Sequence, residues 1–161
     1  MQKIRIFLSH WDRFLPWLQT LPALLTRLMV GFGFYMTGSG KLKNLDGVVE
    51  FFTSLGVPYA KYQAPFVAHL EYYGGILLLL GLFTRPASLL LSATMVVALL
   101  TADKADFLAS WTTESEKVPA EITAFVYLVF LVWLFVSGGG LVSLDALLSK
   151  LLGLRKAPDS E

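Results

Sequence analysis

The chain has no cysteine among its 161 residues. Disulfide exchange, thiolate catalysis, iron–sulfur clusters and thiolate zinc sites are therefore excluded within it. Histidine is scarce as well: there are two, and His10 stands in the N-terminal segment, far from His69. No ligand set for haem or a metal is left. Charged residues make up only 16%, against about a quarter in an ordinary soluble domain. The net charge of +1 lacks the basic excess that nucleic-acid binding needs. A phosphate loop is missing too, although "MTGSGKLKN", residues 36–44, looks like one. That loop requires Gly, four residues, then Gly-Lys-Ser/Thr after a buried strand. Here Tyr35 stands where the first Gly belongs and Leu42 where the hydroxyl belongs, so ATP binding is excluded.

Apolar residues are abundant, at 55%. They gather into four runs, at about 21–40, 65–83, 86–102 and 122–138. Each is near the ~20 residues a helix needs to cross ~30 Å of hydrocarbon. None alternates with period two, so barrel strands are disfavoured, and helix is the remaining way to satisfy backbone groups in lipid. The expected fold is thus all-α, an integral membrane four-helix bundle spanning 20–138. The short "TRP" connection, Thr84 to Pro86, forces the second and third helices into an antiparallel hairpin.

Two flanking segments read as amphipathic interfacial helices. In residues 1–19, Ile4, Phe7, Trp11, Leu15 and Leu18 recur at helical spacing, and Pro16 is expected to bend or end the helix. In residues 139–161, Leu144, Leu147, Leu148, Leu151 and Leu152 form one face, with Ser143 as N-cap. A further short helix is expected within "DGVVEFFTSLGVP". The acidic stretch with Asp103, Asp106, Glu114 and Glu116 reads as a solvated outer loop. Lysine and arginine counts, seven against five, place both termini in the cytoplasm. Gly31, Gly33, Gly38 and Gly40 suit close helix packing or a homodimer face, and Lys41 would snorkel to the headgroups.

An ionisable group at membrane depth is costly, which makes Arg27 and Glu71 the leading candidates for a polar site. Either they pair with each other, or a polar ligand or waters lie between them; their different depths weigh against a direct pair. His69, Tyr72 and Tyr73 could line one side of such a site, although tyrosines near a helix start are more often interface anchors.

The chain resembles the DoxX family of small bacterial four-helix membrane proteins. The matching stretches are Arg27 followed by "GSGKL", then "FFTSLGVP", "EYYGGILLLLGLFTRPASLLL" and "GGGLVSLDALL", in order from about Leu24 to Leu148. Where the family often carries a histidine after its third helix, this chain has "TADKAD". The resemblance implies a multi-pass protein of the bacterial inner membrane, with Arg27, Lys41, Glu71 and Arg85 as motif residues. It further implies a subunit of a quinone-linked or oxidative-stress redox assembly. A quinone would suit Arg27, His69, Glu71, Tyr72 and Tyr73, and electrons would come from a redox partner protein or bound cofactor. The alternatives are a small-solute transporter and a non-enzymatic membrane scaffold.

Overall fold

Each apolar run at helical spacing forms a helix. The computed structural model describes residues 2–112 and 117–153, with side chains from Thr20 onward. Among the described residues there are seven α-helices, one 3-10 turn and no strand. The helices are α1 (Gln2–Lys43), α2 (Leu45–Ser54), α3 (Ala60–Leu80), α4 (Thr84–Leu100), α5 (Lys104–Ala109), α6 (Thr123–Ser137) and α7 (Leu144–Leu151). The turn, Pro119–Glu121, leads into α6. The all-α expectation holds, and α1, α3, α4 and α6 carry the four apolar runs.

Three boundaries depart from expectation. No separate helix occupies 1–19: α1 runs unbroken for 42 residues through Pro16. A proline removes a single i→i−4 bond, and helix-forming residues on both sides outweigh it. Helix α3 starts five residues before Pro65, which lies in its second turn. The segment after Asp103 is not wholly loop, since α5 forms there. The short helix expected after Asn44 is α2, N-capped by the Asn44 side chain. Ser143 caps α7 as expected, its hydroxyl accepting from Ala146 N. Glu114, Glu116, Arg155 and Lys156 lie outside the described residues.

Among the described residues no helix is both long enough and apolar enough to cross a membrane. Helices α4 and α6 are apolar but have 17 and 15 residues. Helices α1 and α3 are longer, but α1 carries Arg27, and α3 carries His69 and Glu71.

One stripe of α1 faces α3. Thr20, Ala23, Arg27, Val30, Phe34 and Gly38 are buried at three- and four-residue intervals, the period of a single helix face. The matching stripe on α3 is Ala60, Ala64, Ala68, Glu71, Gly74, Gly75 and Leu78. The helices run antiparallel, so Gly31 meets Gly75 and Gly38 meets Tyr72. Helix α4 packs mainly on α6. The core between the layers is Val30, Phe34, Leu78, Ala87, Leu91, Leu131 and Leu134.

Glycine sets the α1–α3 distance. A Cβ on Gly75 would lie 2.5 Å from Tyr35 N, and one on Gly38 would run into the Tyr72 backbone. Gly33 makes room for the Tyr127 ring, whereas Gly40 faces open space. Gly31, Gly33 and Gly38 are thus covered within the protomer. Gly38→Ala should lower stability by about 2 kcal/mol through overpacking. Gly40→Ala should be neutral or raise it by up to about 1 kcal/mol, since alanine is the better helix former. Thermal unfolding of both variants in mild detergent checks the pair.

Candidate functional site

Arg27 and Glu71 are not partners. Both side chains are 2% exposed. The antiparallel register places Glu71 opposite Gly38 to Lys41, which is about 16–21 Å along α1 from Arg27. This is a larger offset than the helix positions suggested, and the shared Arg27–Glu71 site is not formed.

Arg27 closes the lower end of the bundle. Its Nε donates to Leu78 O at 3.1 Å and its Nη2 to Leu79 O at 3.5 Å. Its Nη1 donates to Gly139 O and, at 2.9 Å, to Val142 O. Leu78 and Leu79 belong to the last turn of α3, whose carbonyls have no partner within the helix; Leu78 O also accepts from the capping Gly81 N at 3.0 Å. A cation there also meets the negative end of the helix dipole. Gly81 leaves space for the guanidinium: a Cβ there would lie 2.6 Å from Arg27 Cζ.

Asp145 completes this closure and was not singled out from the sequence. Its carboxylate accepts from Phe83 N at 2.8 Å and Thr84 N at 2.9 Å, while its own N–H donates to Gly81 O at 2.9 Å. Phe83 has φ of +49°, a left-handed conformation costly for a residue with a Cβ. The carboxylate holds that turn and caps α4. The "SLD" run carried the signal, since Ser143 caps α7 two residues before the aspartate. Asp145→Ala should cost about 2 kcal/mol, because two backbone N–H groups lose a charged acceptor; denaturant unfolding measures it. Arg85 does similar work on α6, donating to Val136 O at 3.3 Å. Both arginines cap helix ends and belong to the scaffold.

Glu71 pairs with Lys41. The Lys41 Nζ lies 2.5 Å from Glu71 Oε1, and Thr37 Oγ1 donates to Oε2 at 3.1 Å. The lysine side chain is 30% exposed and turns inward from the last turn of α1, where the sequence pointed it at headgroups. A buried carboxylate demands such a partner, and the glycine at position 38 brings α1 close enough to supply one.

The pair stands at the edge of a half-open cavity of about 500 Å³ lined by α2, α3 and α4. Its walls are apolar, with Phe51 and Phe52 from α2, Val67 and Leu70 from α3, and Met95 and Ala98 from α4. Asn44, Gln63 and Thr94 are further polar groups on its lining. A mostly apolar hollow with a few convergent polar groups is the usual form of a small-molecule site.

The remaining candidates fall elsewhere. His69 is exposed, and its Nδ1–H donates to Pro65 O at 2.7 Å, which leaves Nε2 as an acceptor. Its ring stacks on Tyr73 at 6.1 Å. Tyr72 packs on Tyr35 of α1 at 5.3 Å and edge-on against Tyr73. Tyr72 thus lies toward α1, and His69 and Tyr73 lie on a neighbouring hollow beside α4; none of the three lines the Lys41–Glu71 cavity. Asp106 pairs with Lys117 at 2.5 Å, more than half exposed on both sides. That hydrogen bond holds the ammonium above its ordinary pKa, but an exposed pair adds little to stability.

A small helical bundle whose arginines cap helix ends around a Lys–Glu-edged cavity is the class that these features define. The chain belongs to the DoxX family, whose model matches residues 23–104, half of the chain. It is 34% identical over 88 residues to "Putative oxidoreductase CatD" of Bacillus subtilis (strain 168), covering 54% of this chain and 64% of that protein. It is 36% identical over 67 residues to "Inner membrane protein YphA" of Escherichia coli (strain K12), covering 42% of this chain and 48% of that protein. The match thus spans less than two thirds of either relative's length. No solved structure matches the chain. The family match contains Arg27, Lys41, Glu71 and Arg85 and ends before Asp145.

Proposed function

We propose that this protein is an integral inner-membrane subunit of a redox assembly, and that it binds a quinone-type ligand in the cavity at Lys41–Glu71. The observation that carries the reading is the Lys41–Glu71 pair on the edge of an otherwise apolar hollow. A quinone has carbonyl oxygens that accept hydrogen bonds, and Lys41 offers an ammonium on the cavity lining, with the Asn44 and Gln63 amides as further polar groups. Its reduction consumes two protons and two electrons. Glu71, held by Lys41, is positioned to pass protons, while the electrons come from a partner protein. The names of CatD and YphA support the redox and membrane parts of the reading.

The outer surface supports membrane embedding. Leu21, Leu25, Leu28, Met29, Phe32 and Met36 on the outer face of α1 are 44–57% exposed. On α6, Val129, Val132, Trp133 and Val136 are exposed as well. A monomer in water rarely carries so much contiguous apolar surface, whereas lipid covers it without cost. Helices α4 and α6 are short for the bilayer, a mismatch met by local thinning or by snorkelling flanks. With both termini cytoplasmic, cysteines placed at Ser9 and Ser160 should resist an impermeant thiol reagent in intact cells, and one at Ser115 should react. The reverse labelling would overturn the orientation.

Equilibrium dialysis of the protein in lipid nanodiscs against 2,3-dimethoxy-5-methyl-1,4-benzoquinone tests the ligand. Saturable binding, lost in Lys41→Met, is expected. Binding that does not saturate, or that survives Lys41→Met unchanged, would contradict the site. Transport is the second reading, favoured by a polar pair at the edge of a hollow. Solute flux into proteoliposomes that is lost in Glu71→Gln, without quinone binding, would replace the redox reading with it.

A further inference from the structure

A second hollow, of about 490 Å³, continues along the α3–α4 fissure toward the turn at Gly81. It shares three wall residues with the first: Phe66, Leu70 and Leu90 line both. The two therefore adjoin along one α3–α4 trough, with these three side chains between them. Lys41 and Glu71 stand at the side of the upper hollow, level with the shared residue Leu70, and Leu77 and Phe83 mark the lower end. On α3 the trough extends from Gln63 to Leu77, about 21 Å of helix.

The lower part differs from the upper in chemistry. Gly74 and Ala87 lie on its floor and are buried, so small side chains give it depth. His69 and Tyr73 carry the polar groups on its wall, and the His69 Nδ1–H is already engaged by Pro65 O. Water would find too few hydrogen-bonding partners there to be held. A hydrocarbon chain needs none.

We propose that the lower trough binds the hydrocarbon tail of the molecule whose polar head sits at Lys41–Glu71, so that the ligand class is a long-tailed amphiphile, an isoprenoid or alkyl quinone. The inference rests on the function proposed above, because the head position comes from it. The shared walls and the change from polar edge to apolar floor supply the rest. The head is held by charge and hydrogen bonds, and the tail is held by packing against Leu77, Leu90 and Tyr73. Because bilayer lipid is as apolar as the trough, the tail gains only from fit, and its contribution should be modest.

The test compares the tail-free quinone above with its decyl homologue in nanodiscs of one lipid composition. Wild-type protein should bind the decyl compound about tenfold more tightly, equivalent to about 1.4 kcal/mol. Pro86→Trp fills the lower trough from an exposed position outside the upper cavity. In that variant the ratio should fall to within about twofold, with tail-free binding unchanged. Lipid partitioning is the same for both proteins and cancels. Unchanged tail-free binding also reports that the variant is folded. If it does not fold, a decyl quinone carrying a diazirine at the tail end decides the matter on the unmodified protein. Crosslinks on residues 73–77 or 83–90 support the tail site; crosslinks on the outer face of α1 or α6 overturn it. A tail advantage of equal size in Pro86→Trp also overturns it while leaving the head site standing. Absence of saturable tail-free binding in the wild type overturns both.

Discussion

Arg27→Leu is expected to leave no stably folded protein. Leucine approximates the volume of the arginine stem but offers no donor. Leu78 O, Gly139 O and Val142 O lose a charged partner at once, and Leu79 O loses a longer one. Leu78 O keeps the Gly81 N–H at 3.0 Å, but Gly139 O and Val142 O are left unsatisfied at about 1–3 kcal/mol each, so the loss is on the order of 4 kcal/mol. That is comparable to the whole stability of many domains. Arg27→Lys should recover about half, because an ammonium on a thinner stem reaches carbonyls from α3 or from the segment after α6 but not both together. Denaturant unfolding in mild detergent reads the effect. A loss below about 1 kcal/mol would show that water replaces the guanidinium, and the capping role would fall.

Lys41 and Glu71 should couple, whereas Arg27 and Glu71 should not. Glu71→Leu alone strands the ammonium, and Lys41→Met alone strands a carboxylate that is 2% exposed. Each single change should cost about 2 kcal/mol, less than a fully buried pair because Lys41 remains partly in contact with its surroundings. The double variant should be more stable than the sum of the singles implies by about 1–2 kcal/mol. For Arg27→Lys with Glu71→Leu the changes should add within about 0.5 kcal/mol, as they share no partner. Strong coupling between Arg27 and Glu71 would restore the single shared site that their isolation in the sequence first suggested.

The helices were legible because apolar runs and caps are local. Ser143 before a leucine face marks a helix start by short-range chemistry, whereas the caps at Asn44 and Gly81 went unread and the second run was carried to residue 83. The two buried charges were legible as well, since lipid-depth arginine and glutamate stand out against an apolar background. What each charge touches was not. Arg27 bonds to main-chain carbonyls, which every residue carries, so no residue type announces the contact. Lys41 stands at a helix end, where outward and inward orientations have the same sequence pattern; the choice depends on the close approach at Gly38. Asp145 lies 61 residues from Thr84 and acts on its N–H, a contact that only the folded chain brings about. The continuity of α1 through Pro16 was hidden by a residue whose average effect is to break a helix. His69, Tyr72 and Tyr73 touch one another in a row, as their spacing suggested, but off the lining of the cavity at the ion pair.

The central claim is that Lys41 and Glu71 hold a quinone-type ligand inside a membrane-embedded bundle. Extraction from cell membranes in styrene–maleic acid discs, followed by mass spectrometry of the organic extract, tests it on the protein with its native lipid. Wild-type protein should carry a quinone near one per chain, well above its level in bulk membrane, and Lys41→Met should carry only the bulk level. Equal quinone in both, or none above the bulk level in the wild type, would contradict the claim.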